Sequence, residues 1–480
     1  YLRWKNPDKA YVSLTNSDRA SDGTGYYFTS GAVGGGGGGV DTGVYLTGNV
    51  NIAADTTITS ANATINVTGN ISSSSGKDLI VDSSTFDADN ISNLDVLTIK
   101  SSTATVGTLD TINTATIESA SYTGNAISSV DALEIQSTTL SVTGNIETDT
   151  SLTFNSSANL SIANIITGTG QLIKSNTNQL TLTGTNDFTG GVNLSAGTLA
   201  LSSAAAIGSS GTIVLGGGTL KYSSLDTTDY SSRFSTANDQ KYNIDTNSQS
   251  ITFASDLTSS GGILTKTGNG TLTLSGTNTY TGGTNISGGS ILLNSAGAIG
   301  STGTLLFNGG TLVYSANNTT DYSSRFSTAA SQNFNINTSG QDISYSTRLA
   351  SSSGTLTKSG TGSLTLAGAN TYDGLTTVSA GTLVSNGTIN GDLSISSGAT
   401  FDLNQTDTIG SLTGSGTIDI ASAKVLTLSS SSNSTFSGII SGDGQLKKSG
   451  SGTLILSGTN TYTGGTNFNS GTLQLSSSGA

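Results

Sequence analysis

The sequence predicts an all-β chain wound as a parallel β-solenoid, a single elongated rod with a small N-terminal cap. Three observations lead there: a long internal repeat, apolar residues alternating at period two within it, and a composition too lean for a spherical core.

The repeat is the strongest of the three. The phrase GILTKTGNGTLTLSGTNTYTG runs over 262–282 and has three relatives. Lys174, Lys266, Lys358 and Lys448 are equivalent, spaced by 92, 92 and 90 residues on subtraction of their numbers. So are Leu180, Leu272, Leu364 and Leu454, then Asn186, Asn278, Asn370 and Asn460, then Phe188, Tyr280, Tyr372 and Tyr462. Copying extends beyond the phrase, since TTDYSSRFSTA stands at both 227–237 and 319–329. This divides the second part of the chain into 170–261, 262–353, 354–443 and a shorter 444–480. Self-similarity at such a period marks an architecture that grows by adding units.

Within each unit, short runs such as Thr271–Leu274 alternate polar and apolar residues, the pattern of a half-buried strand. Gly and Asn punctuate them, supplying the backbone conformations of tight corners. Turns of about 20 residues place four or five in each long unit, and stacking at about 4.8 Å gives a rod of roughly 100–115 Å. Residues 40–169 show looser copies. Leu46–Asn49, Val67–Asn70, Tyr122–Asn125 and Val142–Asn145 share one phrase, with gaps of 21 and 20 residues between neighbouring copies.

Hydrophobic residues make up 33% and charged residues 10%, against about 45–50% and 25% in ordinary domains. Such a chain can build a core one or two side chains deep. A single proline and the regular alternation argue against disorder. A lone turn is not expected to be stable, because its few inward Leu, Ile and Val side chains are covered only by the turns on either side. Lys266 shares parity with Leu264 and would point inward on a straight strand, so a corner is expected near it.

Residues 1–39 differ. Trp4, Tyr11, Tyr26, Tyr27 and Phe28 sit there with Arg3, Lys5, Lys9 and Arg19, ahead of six glycines at 34–39. A cap over the open end of the solenoid is one reading. Assembly contacts, with these five aromatics docking on a neighbouring acidic subunit, are the other.

Several chemistries are excluded or disfavoured. The chain has no His and no Cys, which removes Ser-His-Asp catalysis, disulfides and His- or Cys-ligated metals. Net charge is −13, leaving no basic footprint for nucleic acid. No apolar stretch is long enough for a membrane helix. Carboxylate pairs of the glycosidase kind would have to come from Asp87 with Asp89, Asp226 with Asp229, or Asp402 with Asp407, none in a recognisable motif. We therefore expect no enzyme and no cofactor, with weak surface binding of calcium as the only metal expectation. Arg233 and Arg325, in the duplicated phrase, are expected to pair with a nearby carboxylate such as Asp229 or Asp321, or else to form a repeated ligand site. Thr-x-Thr runs resemble those of ice-binding solenoids, but their clear copies lie far apart in sequence.

The phrase GxLxKxGxGxLxLxGxNxYxGxTxxxxGxL, read at 262–291 and 444–473, and with departures at 354–383 and 170–199, resembles the passenger-associated transport repeat of autotransporters. At 170–199 the departures include Asn176 and Asn178 for two glycines and Val192 for the threonine. The resemblance implies a right-handed β-helix exported across the outer membrane of a Gram-negative cell through a C-terminal β-barrel translocator, and therefore extracellular or on the cell surface. It also implies an adhesin or display rod, or alternatively a self-assembling surface layer or filament. Partners would be host or neighbouring-cell surface molecules, or other copies of the chain. Tyr1 is not an initiator Met and Ala480 falls inside a repeat, so a trimmed, continuing chain is expected.

Overall fold

The computed structural model describes residues 55–477 throughout, together with 17–19, 25–28, 31–34, 44–47 and 49–52. Two units divide the chain, residues 1–228 with 233–235, and 229–232 with 236–480. Each is a parallel β-solenoid.

In the first unit, every strand pairs in parallel with the chain one turn further on. Thr103–Ile117 lies against Ser121–Ile135, with Leu109 beside Ile127 and Ile117 beside Ile135. Gln171–Lys174 lies between Ile146–Phe154 and Val192–Leu194. A parallel partner 18 to 20 residues away requires a full circuit between neighbours, which is the geometry of a solenoid. The antiparallel exception is at the N-terminal end. Ser17–Arg19 pairs antiparallel with Gly25–Phe28, which continues the ladder on Asn49–Ile52. The hairpin thus continues the sheet beyond Asn49–Ile52.

The second unit repeats the scheme. Ser250–Phe253, Thr271–Leu274, Ser290–Leu293 and Thr311–Val313 form one run of parallel neighbours. Lys241–Asp245, Ile263–Thr267, Thr284–Ile286 and Leu305–Phe307 form another. Inward residues stack on like residues, as in the column Ile251, Leu272, Ile291 and Leu312. The core is thin because alternate residues are all that each strand contributes to it.

One turn is longer than its neighbours. Between Thr311–Val313 and Asn333–Asn337 lie a tight turn at Ser315–Asn318 and a 3-10 segment, Ser323–Arg325. The extra length shifts the pairing: Thr311 stands beside Asn335, so the leading strand of the new turn stacks on the second strand of the old one. Aromatic rings fill the wider interior here. Phe326 lies 4.9 Å from Phe307, 5.9 Å from Phe334 and 5.2 Å from Tyr345, centroid to centroid. From Asp407 onward a third strand is added per turn, and Asp407–Ile409, Val425–Leu428, Gln445–Lys448 and Thr466–Phe468 form a sheet of their own.

Corners are tight enough to require glycine. Gly289 has φ +54°, and a Cβ there would stand 2.2 Å from the Gly270 carbonyl oxygen of the turn before. Gly381 repeats this at φ +65°, 2.4 Å from Gly362 O. Any side chain would strain the backbone and collide with the neighbouring corner.

Candidate functional site

The repeated phrase builds a cluster of buried polar groups at each corner. Lys266 lies in the straight strand Ile263–Thr267 and points inward, fully buried, stacked between Ile244 and Ile286. The expected corner thus does not divert it; it comes just after. The ammonium reaches that corner, donating to the carbonyls of Thr267 at 2.7 Å and Gly268 at 2.8 Å, and to Gly288 of the following turn at 3.1 Å. Lys358 repeats this on Ser359 at 3.1 Å, Gly360 at 2.8 Å and Ala380 at 2.9 Å. Lys448 donates to Gly450 and to Ser470, and Lys174 to Asn176. The aliphatic stem occupies a core position while the charged head leaves it, as long cationic side chains do. Burial lowers the lysine pKa, to about 8 at Lys266 and Lys358.

The asparagine of the phrase binds three successive turns. Oδ1 of Asn278 accepts from the backbone N–H of Leu257 in the turn before, at 2.7 Å, and Nδ2 donates to Ala298 O in the turn after. Asn370 does the same with Leu349 N and Thr388 O, both at 2.8 Å, and Asn186 with Ile166 N and Ala206 O. Asp407 accepts from Ile389 N at 2.8 Å in the same manner; its burial raises its pKa.

Arg325 does not behave as the sequence suggests. Its guanidinium donates to four backbone carbonyls, those of Gly303 and Gly300 at 2.8 Å, Ile299 at 3.1 Å, and Thr302. Arg233 holds Gly211, Gly208, Ile207 and Ser210 in the same way. Asp321 instead accepts from the N–H groups of Ser323 and Ser346, each at 2.8 Å, and from the Ser346 hydroxyl. Asp229 accepts equivalently from Ser231 and Ala254. In the second copy, Arg325 thus holds the loop onto the preceding corner and Asp321 fastens the next. A shallow groove of about 710 Å³ passes Gly303, Thr304 and Ser324–Ala329.

The candidate carboxylate pairs differ in their placement. Asp402 faces outward in Thr400–Leu403, whereas Asp407 faces inward in Asp407–Ile409. The neighbour of Asp402 in the ladder is Asp419. Asp226 is buried and Asp229 serves the loop just described, while Asp87 and Asp89 share the outer side of their strand. Among the described residues, no group of three or more His, Cys, Asp or Glu could hold a metal ion. No helix among them is long and apolar enough to cross a membrane.

Trp4 and Tyr11 lie outside the described residues. Tyr26, Tyr27 and Phe28 belong to the hairpin strand on Asn49–Ile52, and their side chains are likewise outside what is described.

Outward residues also form columns. Thr271, Ser290, Thr311, Asn335, Thr357 and Thr377 stand side by side on consecutive turns, a line of uncharged hydroxyls and an amide. Small uncharged polar residues therefore recur on consecutive turns of one sheet, although threonines adjoin only at Thr357 and Thr377.

Comparison with known proteins agrees with the repeat. The profile described as passenger-associated-transport-repeat matches residues 172–201, 264–293, 356–384 and 446–475. A 46-residue stretch is 54% identical to the adhesin BmaC autotransporter of Brucella suis biovar 1 (strain 1330). That similarity covers 10% of this chain and 1% of the Brucella protein. No solved structure matches.

Proposed function

We propose, from the premise that this chain is an autotransporter passenger segment carrying four passenger-associated transport repeats, that it is a non-catalytic adhesin or display rod on the outside of a Gram-negative cell. The carrying observation is the outward column from Thr271 to Thr377, which offers a partner an uninterrupted uncharged polar surface on a rigid sheet. Hydroxyls held at strand spacing make many weak contacts, which gain strength only through number. The adhesin name of the Brucella relative supports the same reading. Export would require an outer-membrane β-barrel translocator in the full-length protein.

The uncharged column also supports the alternative, a self-assembling surface layer or filament, because copies with a net charge of −13 repel least along an uncharged face. One experiment separates the two. The purified chain is examined by size-exclusion chromatography and negative-stain imaging, and coated beads are tested for attachment to host-cell and bacterial surfaces. Monomeric particles whose beads attach support display. Ordered arrays from an otherwise non-adhesive chain would favour the alternative, and turnover of any member of a glycan panel would overturn both.

A further inference from the structure

The lysine of the repeat poses a physical problem that the adhesin reading leaves unanswered. A fully buried cation is costly, and every neighbouring inward position in its column, Ile244 and Ile286 for Lys266, is apolar. An apolar residue at this site would fill the core equally well, so stability alone does not explain a lysine there.

We propose that the repeat lysine is a register lock: its ammonium fits only where the corner of its own turn and the corner of the following turn bring carbonyl oxygens together, so it fixes which residues of two successive turns stand side by side. The need for such a device follows from the sequence. Inward positions are mostly apolar and outward ones mostly polar. A slip of two residues therefore keeps every apolar residue inside and every polar one outside, and the hydrophobic pattern barely resists it. The lysine does resist it. A two-residue slip moves Gly288 O by about 7 Å along the strand, leaving the ammonium of Lys266 with only Thr267 O and Gly268 O, which are its own. The same forward contact recurs at Lys358 to Ala380 and at Lys448 to Ser470. One buried polar residue that sets register at a cost in stability is known from coiled coils, where it excludes alternatives and does not tighten the correct state.

The test uses the absence of cysteine in this chain. Outward Thr265 and Asn285 are register partners, close enough in a parallel ladder for a disulfide, whereas Thr265 and Ser287, two residues out of step, are too far apart. The pairs Thr265→Cys with Asn285→Cys, and Thr265→Cys with Ser287→Cys, are made with Lys266 retained and with Lys266→Met. Each protein is unfolded in urea, refolded and mildly oxidised. With the lysine present only the first pair should close. In Lys266→Met the protein should refold with unchanged β content, and the slipped pair should close to at least a tenth of the yield of the aligned pair. A slipped pair that stays open in Lys266→Met overturns the proposal. Failure of Lys266→Met to regain its β content overturns it equally, because the lysine would then be needed for stability and not for alignment.

Discussion

The hydroxyl of Tyr280 lies 2.6 Å from Oγ1 of Thr284, both fully buried, and the first repeat replaces the two together, with Phe188 and Val192. Tyr372 and Thr376 keep the bond at 2.7 Å. Neither hydroxyl is useful inside the core without the other, so both are present or both absent. Tyr280→Phe alone should destabilise the second unit by about 1–2 kcal/mol, the cost of orphaning a buried hydroxyl. Tyr280→Phe with Thr284→Val should recover most of that loss. Urea unfolding of the two single variants and the double variant closes the cycle, and an additive double variant would contradict the coupling.

The asparagine bridge should tolerate less. Asn278→Ala removes the acceptor of Leu257 N–H and the donor to Ala298 O, leaving backbone groups of two other turns unpaired. A loss of about 2–4 kcal/mol is expected. Hydrogen exchange should accelerate at Leu257, whose N–H loses its acceptor, and acceleration confined to the turn of Asn278 itself would argue against the bridge.

Buried lysines give stability an alkaline slope. Folded Lys266 and Lys358 lose their protons near pH 8, whereas an unfolded lysine holds its own to about 10.4. Between those values the unfolded chain binds more protons, so stability rises with pH and falls back as pH drops through about 8. Above about pH 10 the sign reverses, because burial keeps Tyr280 and Tyr372 protonated in the fold while unfolded tyrosines ionise. Urea midpoints measured from pH 7 to 10 should show the rise, and Lys266→Met with Lys358→Met should flatten it.

Asp402 and Asp419 stand side by side on adjacent strands, and desolvation followed by the charge of Asp419 raises the Asp402 pKa. A raised carboxyl pKa means that stability falls as pH rises through the carboxylate range. Asp402→Asn should stabilise the protein at pH 7 by up to about 0.5–1 kcal/mol, the size of a cross-strand charge contact. The gain should vanish at pH 3, which thermal melts at the two values would reveal.

Arg325→Lys should loosen the loop it holds. Its guanidinium fork serves four carbonyls at once, and an ammonium cannot reproduce that planar spread. Limited proteolysis should cut within 315–329 several-fold faster than in the parent chain. Unchanged cleavage would mean that the aromatic contacts of Phe326 suffice.

Strand alternation and the repeat were legible because each is written in side chains. Leu272 and Leu274 declare an inward face, and the spacing of Lys174, Lys266 and Lys358 declares a unit. The partners of those lysines and of Arg325 were not legible, because they are backbone carbonyls, which every residue carries and no letter marks. The same reason hides the third strand beginning at Asp407: its residues alternate like any other, and only the pairing with Val425–Leu428 distinguishes them. Sequence separation also misled, since the outward polar column from Thr271 to Thr377 joins residues about one turn apart and its members belong to different phrases.

The shifted pairing at Thr311 and Asn335 has a geometric outcome for recognition. Lys266 and its strand belong to one sheet, whereas the strand of Lys358 falls in the sheet that receives Leu272 of the earlier copy. Two almost identical stretches of sequence therefore look out in different compass directions. An antibody, or a receptor, that reads one of them on its outer side must approach the next from another bearing, so the chain offers a single motif to several directions at once.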